Sequence, residues 1–210
     1  MKIGILGSGK MGGGLGKVWA ERGHSVMFSF TLEHDNLKTL ADSLKPNACV
    51  GTPREAADFG DVIFFAPQWA QVEEALMQAG PLTGKIVIEC VNAVKPDLSG
   101  PLLSAGTSAS EEIARMAIGA RVLKAFNTIP ASHIDAHPPF MRGQTETVFY
   151  CGDDNEAKAV TARLIRDAGF DAVDAGPLKS ARCLESLSLL LIELIVFQKV
   201  APDAAVKLLY

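Results

Sequence analysis

The chain has 210 residues, 48% of them hydrophobic, and 20 Lys and Arg against 24 Asp and Glu give a net charge of −4. That length and apolar content bury a sizeable core as one compact unit, and the mild acidic balance lacks the basic footprint of a nucleic-acid binder. Cys49, Cys90, Cys151 and Cys183 lie far apart and none stands at metal-ligand spacing from a histidine, which argues against a zinc site or a disulfide framework and fits a reducing cytoplasm.

Short β-rich runs alternate with segments of helical period from the start. Met1 and Lys2 lead into the apolar run Ile3 to Leu6, too short for the hydrophobic region of an export signal. Lys2 to Gly7 predicts a first strand, and Lys10 to Arg22 a helix with Leu15, Val18 and Trp19 on one side, closed by Gly23. A second strand is expected over His24 to Phe30, a helix over Asn36 to Leu44, a minimal strand over Ala48 to Val50, and a helix over Pro53 to Phe59 with Pro in its first turn. Asp61 to Ala66 predicts a strand, Gln68 to Ala79 a helix, Lys85 to Cys90 a strand, Ser110 to Ile118 a helix, and Arg121 to Ala125 a strand. Thr147 to Cys151 and Asp171 to Asp174 read as strands around a helix from Asn155 to Ala168, for which Gly152-Asp153-Asp154 supplies a turn and an N-cap. A long apolar helix is expected over Ser180 to Lys199, ending before Pro202. Its apolar stretch Leu187 to Phe197 is too short and too charged to span a bilayer, which needs about 20 apolar residues.

The turn Gly7-Ser8-Gly9-Lys10-Met11-Gly12 joins the first strand to the first helix. In a dinucleotide-binding turn Gly7 makes the tight bend, Gly9 lets the backbone approach a pyrophosphate, and Gly12 lets the helix pack close to the strand, with the phosphates at the positive end of the helix dipole. Strand before, helix after and an alternating β/α pattern beyond are the context this motif requires. Gly13, Gly14 and Gly16 each lower helix stability relative to Ala, implying either close packing or a mobile first turn.

Cofactor choice is read where the second strand ends, because an acidic residue there bonds the adenine ribose and a basic one pairs with a 2′-phosphate. The sequence at that point is Phe28-Ser29-Phe30-Thr31, with neither an acidic residue to favour NAD nor an Arg to specify NADP. Two readings stand: the Ser29 and Thr31 hydroxyls, with Lys38, bond a phosphate, or they cap the next helix.

Three later segments, Lys124-Ala125-Phe126-Asn127-Thr128-Ile129-Pro130-Ala131, Cys151-Gly152-Asp153-Asp154 and Asp174-Ala175-Gly176-Pro177-Leu178, follow the glycine turn in order. With them the chain resembles, over nearly its whole length, the NADPH-dependent F420 reductase family, also called F420H2:NADP oxidoreductase. Related domains occur in STEAP-type metalloreductases and pyrroline-5-carboxylate reductases. The resemblance implies a small dimeric protein in which NADP lies across the sheet edge and a deazaflavin stacks on the nicotinamide. It implies that Ala66 and Pro67, and the segment Cys90 to Val94 with Asn92 and Val94, line the cofactor. It also implies that Asn127, Thr128, Ile129 and Pro130 lie beside the nicotinamide and the second ring, where some members carry His in place of Asn127. Plainer readings stand beside these: Pro67 opening a helix, Asn92 capping one, and Asn127 and Thr128 satisfying backbone groups at a strand end. Gly176-Pro177-Leu178 turns the chain into the last helix, and Leu178 also offers the acceptor an apolar edge. Lys124 reads as a surface or strand-end charge.

Of His24, His34, His133 and His137 only His133 and His137 stand four positions apart, directly before Pro138-Pro139, and no metal site is expected. Asp58, Asp61, Asp153 and Asp154 sit at element ends as caps, Ser108 or Ser110 caps the helix carrying Glu111 and Glu112, and Gly106 to Ser110 is not a nucleophile elbow. The expected fold is therefore α/β: a Rossmann-like, doubly wound, mostly parallel sheet with a small C-terminal extension ending in a long helix. Residues 1–210 form a single NAD(P)-binding domain, with 145–210 as a strand-helix extension contributing to the acceptor pocket and a dimer interface. The expected activity is hydride transfer between NADP(H), with NAD less suited, and coenzyme F420 or a flavin-like molecule. It requires positioning of two flat rings rather than a catalytic side chain. Two rivals are a reductase of imines or small carbonyl compounds, which the shortage of C-terminal helices disfavours, and a non-catalytic NADP(H)-binding redox sensor. The expected partners are a small-molecule hydride donor or acceptor and a second copy of the chain, with neither nucleic acid nor membrane. The homodimer follows from the apolarity of Leu187 to Phe197, which exceeds what one half-exposed helix needs.

Overall fold

The structure is a computed structural model that describes residues 1–29, 34–135, 140–141, 144–200 and 204–209. The chain runs β1 (Lys2–Leu6), α1 (Lys10–Glu21), β2 (Ser25–Ser29), α2 (His34–Ser43), β3 (Ala48–Val50), α3 (Pro53–Phe59) and β4 (Val62–Phe65). It continues through α4 (Val72–Ala79), β5 (Ile86–Glu89), α5 (Ala109–Met116), β6 (Arg121–Lys124) and α6 (Ala131–Asp135). A small hairpin of β7 (Phe140–Met141) and β8 (Gln144–Thr145) precedes β9 (Thr147–Gly152), α7 (Asn155–Asp167), β10 (Asp171–Asp174) and α8 (Ala181–Ile192).

Eight strands form one sheet in the order β10-β9-β6-β5-β4-β1-β2-β3. All pairs are parallel except β6 with β9, which is antiparallel. Strands β4 and β5 are buried throughout, as Val62-Ile63-Phe64-Phe65 and Ile86-Val87-Ile88-Glu89 require of strands covered by helices on both faces. The alternation in the sequence is thus realised as the expected doubly wound sheet.

One face of the sheet packs on α1 and α7 around four rings. Trp19 meets Phe64 edge-on at 5.2 Å, Phe126 stands 5.9 Å from Phe64, and Phe170 lies 5.9 Å from Phe126. Each such pair contributes about 0.5–1.5 kcal/mol beyond the area it buries. The other face presents Ile63, Phe65 and Val87 to α3, α4 and α5, with Ile113 of α5 in the same cluster.

Helix ends agree with their local chemistry. Thr52 and Glu55 form a reciprocal capping box on α3, Ser108 accepts from Glu111 N at the start of α5, and Asp154 accepts from Ala157 N at the start of α7. The segment expected as one helix from Gln68 opens instead with a 3-10 turn at Trp69–Gln71, and α4 begins only at Val72. The last helix is regular to Ile192 and then widens into a π-helical turn over Glu193–Phe197. Helix α6 and the β7–β8 hairpin were not expected, because five- and two-residue elements carry too little periodicity to register.

Candidate cofactor site

The strand register aligns the ends of five strands. Ser29, Leu6, Phe65, Glu89 and Lys124 stand side by side in successive pairs, so the residues that follow them line one rim. With strands about 4.8 Å apart, Leu6 to Lys124 spans roughly 14 Å. The chain order reverses between β1 and β4, and it is outside the carboxyl ends of strands at such a point that open α/β sheets bind ligands.

Gly7 sits there with φ +97, and a Cβ on it would lie 2.5 Å from the Ala66 carbonyl carbon and 2.6 Å from Pro67 N. A Cβ on Gly12 would come closer than 3.0 Å to the Gly7 carbonyl oxygen, and one on Gly16 closer than 3.0 Å to the Phe28 ring. Close packing is therefore the reason for Gly16. Gly9 differs: among the described residues nothing lies within 4 Å of where its Cβ would be. Gly9 is also the N-cap of α1, with no side-chain cap and no acidic residue in the first turn, and Lys10 beside it is exposed. The helix therefore presents backbone N–H groups and a positive dipole end beside open space, which fits a pyrophosphate.

Ser8 is turned inward, where its hydroxyl donates to Ser29 O at 2.7 Å and accepts from Ser29 N at 3.0 Å. Ser29 is 1% exposed and donates its own hydroxyl to Ile5 O at 2.8 Å. Both hydroxyls fasten β2 to β1, so Ser29 is committed to the sheet rather than to a phosphate or a helix cap. Lys38 is exposed on α2, while Phe30 and Thr31 lie outside the described residues.

At the other end of the rim, Asn92 and Asn127 bind each other. Asn92 Nδ2 donates to the Asn127 carbonyl at 2.9 Å, and Asn127 Nδ2 donates to Asn92 Oδ1 at 3.1 Å and to Leu184 O at 2.9 Å. Because the backbone carbonyls accept only, both amide orientations are fixed, and Asn127 Oδ1 remains a buried acceptor without a donor. Asn92 thus bridges two strand ends and caps no helix. Phe126, immediately before Asn127, has φ +65 and is held by the aromatic cluster. A bulky residue in that region carries local strain on the order of 1–3 kcal/mol, a feature that concentrates at functional sites.

Thr128 and Ile129 are buried beside this pair, Pro130 is half-buried, and Val94 pairs with Pro101 in an isolated bridge. Leu178 is buried in the apolar cluster that also holds Val91, Ala93 and Ile113. Its backbone N–H donates to Asp153 Oδ1 at 2.9 Å.

The sequence reading missed a charged cluster directly behind these asparagines. Lys124, expected at the surface, is fully buried. Its Nζ lies 2.6 Å from Val91 O, 3.0 Å from Glu89 Oε1 and 3.3 Å from Glu185 Oε1, which occupies all three ammonium donors. Glu89 also accepts from Val91 N at 2.7 Å and from the Ser110 hydroxyl, and Glu185 accepts from Ala109 N at 3.1 Å. Burial opposes the charge on Lys124, but the Glu89 and Glu185 carboxylates outweigh it and hold the ammonium above its ordinary range. Burial pushes the Glu185 carboxyl up. A signal was available: a lysine and a glutamate close two apolar strands, and parallel register makes such ends neighbours. The Cys90 thiol is pushed up to about 12 by burial, which leaves it a poor nucleophile.

Residues 2–93 match the family model described as NADP oxidoreductase, coenzyme F420-dependent. The chain is 32% identical over 191 residues to the metalloreductase STEAP3 of Rattus norvegicus, a match covering 91% of this chain and 37% of that protein. The chain therefore spans little more than a third of that curated relative's length. A candidate F420-dependent NADP-reductase from Arthrobacter sp. FB24 superposes over 100% of both chains with a TM-score of 0.86 and 26% identity. A reductive aminase from Aspergillus terreus, solved with NADPH4, cyclohexanone and allyl amine, shares the fold at 18% identity and a TM-score of 0.68, over 94% of this chain and 62% of that one. With its glycine turn inside the matched segment and its whole length overlaid on the Arthrobacter structure, the chain carries in residues 2–93 the dinucleotide-binding part of the F420-dependent NADP oxidoreductase family.

Proposed function

We propose that this protein transfers hydride between NADP(H) and a planar acceptor of the F420 or flavin type. The observation that carries the reading is the single rim running from the open N-terminus of α1 at Gly9 to the Asn92–Asn127 pair at the ends of β5 and β6. Its span suits a dinucleotide laid across the sheet edge. Bound NADPH would supply the hydride itself. The chain's own part is to take the pyrophosphate on Gly7 to Gly12, to line the cofactor with Ala66, Pro67, Asn92 and Val94, and to face the acceptor with Asn127 to Pro130. Leu178 adds an apolar edge there. No side chain is assigned acid–base work. NADP is preferred over NAD on family grounds.

In this reading residues 145–210 complete the acceptor side, and the face around Leu190, Val196 and Phe197 meets a second copy in a cytoplasmic homodimer. Those three side chains are 53%, 43% and 47% exposed. Among the described residues no helix is long and apolar enough to cross a membrane. The likeness to a metalloreductase favours a second reading in which a ferric chelate is the final acceptor.

NADPH fluorescence titration followed by turnover with F420, FMN, FAD, ferric chelates and a cyclic imine tests this. NADPH binding with turnover of a planar acceptor is expected. Imine reduction alone would make the protein an imine reductase, binding without turnover a sensor, and no binding at all would overturn the reading.

A further inference from the structure

The buried cluster behind the asparagines is unbalanced in charge. Glu89 and Glu185 oppose one ammonium, Lys124. The other groups around it do not correct this. Arg182 is matched by Glu111 at 2.7 Å, the Cys90 thiol is neutral, and Ser110 together with the Ala109 and Val91 N–H groups contributes only dipoles. One carboxylate remains in excess, sustained by the positive end of α5, whose Ala109 N–H donates to Glu185.

The cluster is tied to the rim at three points. Lys124 Nζ holds the carbonyl of Val91, the neighbour of Asn92. Lys124 itself ends β6 three positions before Asn127, and Glu185 follows Leu184, whose carbonyl accepts from Asn127. The unpartnered Oδ1 of buried Asn127 is an independent sign that a ligand group belongs here. A ring seated at the asparagine pair would feel the excess carboxylate, because unit charges still interact appreciably across distances on the order of 10 Å at an effective dielectric near 20.

We infer that the Glu89–Lys124–Glu185 cluster biases the pocket toward the oxidised, positively charged nicotinamide, so that this protein favours release of hydride from NADPH. The inference rests on the proposed seating of the nicotinamide. Oxidised and reduced cofactor differ at the ring by one unit of positive charge and share the same pyrophosphate and 2′-phosphate. A fixed negative charge near the ring therefore changes the ratio of their affinities, whereas a packing defect changes both together. The cluster acts through the field it sets at the ring and touches no reacting atom, which makes Glu185 a positioning residue.

The test measures dissociation constants of NADP+ and NADPH for the unaltered protein and for Glu185→Gln, which keeps the size and one of the two accepting oxygens but removes the charge. NADP+ should weaken about tenfold with NADPH changed less than about twofold. Equal weakening of both, or no change in either, overturns the inference. In the unaltered protein the preference for NADP+ should also fall as pH is lowered and Glu185 takes up a proton; the shared 2′-phosphate cancels from the ratio. A preference flat in pH overturns the inference even if the variant does not fold. Failure of the unaltered protein to bind either cofactor is a different result, one that removes the functional reading itself.

Discussion

The indole Nε1 of Trp19 donates to the carbonyl of Leu164 at 3.0 Å, across 145 positions of sequence and wholly inside the core. This bond ties α1, the helix that opens at the glycine turn, to α7, which lies between β9 and β10. The late strands are therefore fastened to the early half from both sides, by β6–β9 pairing and by this contact.

Replacing Trp19 by Phe keeps an apolar ring but leaves the Leu164 carbonyl without this donor. Loss of a buried partner costs about 1–3 kcal/mol. Urea unfolding of Trp19→Phe should show a loss in that range in one cooperative transition, and a variant as stable as the parent would contradict the role given to this bond.

Gly9 and Gly12 should separate folding from binding. Alanine at Gly9 meets open space and keeps an ordinary φ of −72, so Gly9→Ala should melt within about 1 °C of the parent yet bind NADPH at least about tenfold more weakly, because the methyl occupies the pyrophosphate approach. Alanine at Gly12 strikes the Gly7 backbone and should cost about 2–4 kcal/mol of stability. Equal affinity for NADPH in Gly9→Ala and the parent would remove the turn from the binding site.

Lys124→Met leaves two carboxylates buried without their cation. Breaking a buried charge pair in this way costs about 3–5 kcal/mol, readable by chemical denaturation. A loss below about 1 kcal/mol would place Lys124 outside the core.

His24 couples stability to pH. Burial holds its imidazole below the ordinary 6.5, with the Asp167 carboxylate at 3.0 Å pulling the other way. With the folded value below the unfolded one, the unfolded chain takes the proton first as pH falls. The contribution of His24 is therefore complete above 6.5 and declines below it as pH drops toward the folded value. Melting temperatures between pH 7.5 and 5.5 should fall more steeply for the parent than for His24→Gln; identical slopes would exclude this source.

If the face formed by the end of α8 and the π-helical turn after it is a dimer interface, Phe197→Asp should convert a dimer to a monomer by light scattering without lowering far-UV helicity. A parent that is monomeric at micromolar concentration would dismiss the interface.

Lys2 to Gly12 shows why so much of the fold was legible: apolar strand, glycine bend and amphipathic helix are local patterns whose periods and sterics are written in adjacent residues. The same holds for the Thr52 cap of α3 and the buried run of β4. The rim asparagines were reached through motif likeness, but their mutual bonding was not visible, because Asn92 and Asn127 are 35 positions apart and meet only when β5 and β6 align. Lys124 was misread for the same reason, since a charge at a strand end counts as exposed until its neighbours are known. Ser29 was offered to a phosphate or a helix cap until the register turned its hydroxyl toward Ile5 O. By itself the sequence determined the alternating elements and the glycine turn that can admit a phosphate, because these depend on short-range geometry. Only the tertiary structure decided that two glutamates and one lysine are sealed together behind that site, because burial and long-range register determine which charges meet and how strongly they act.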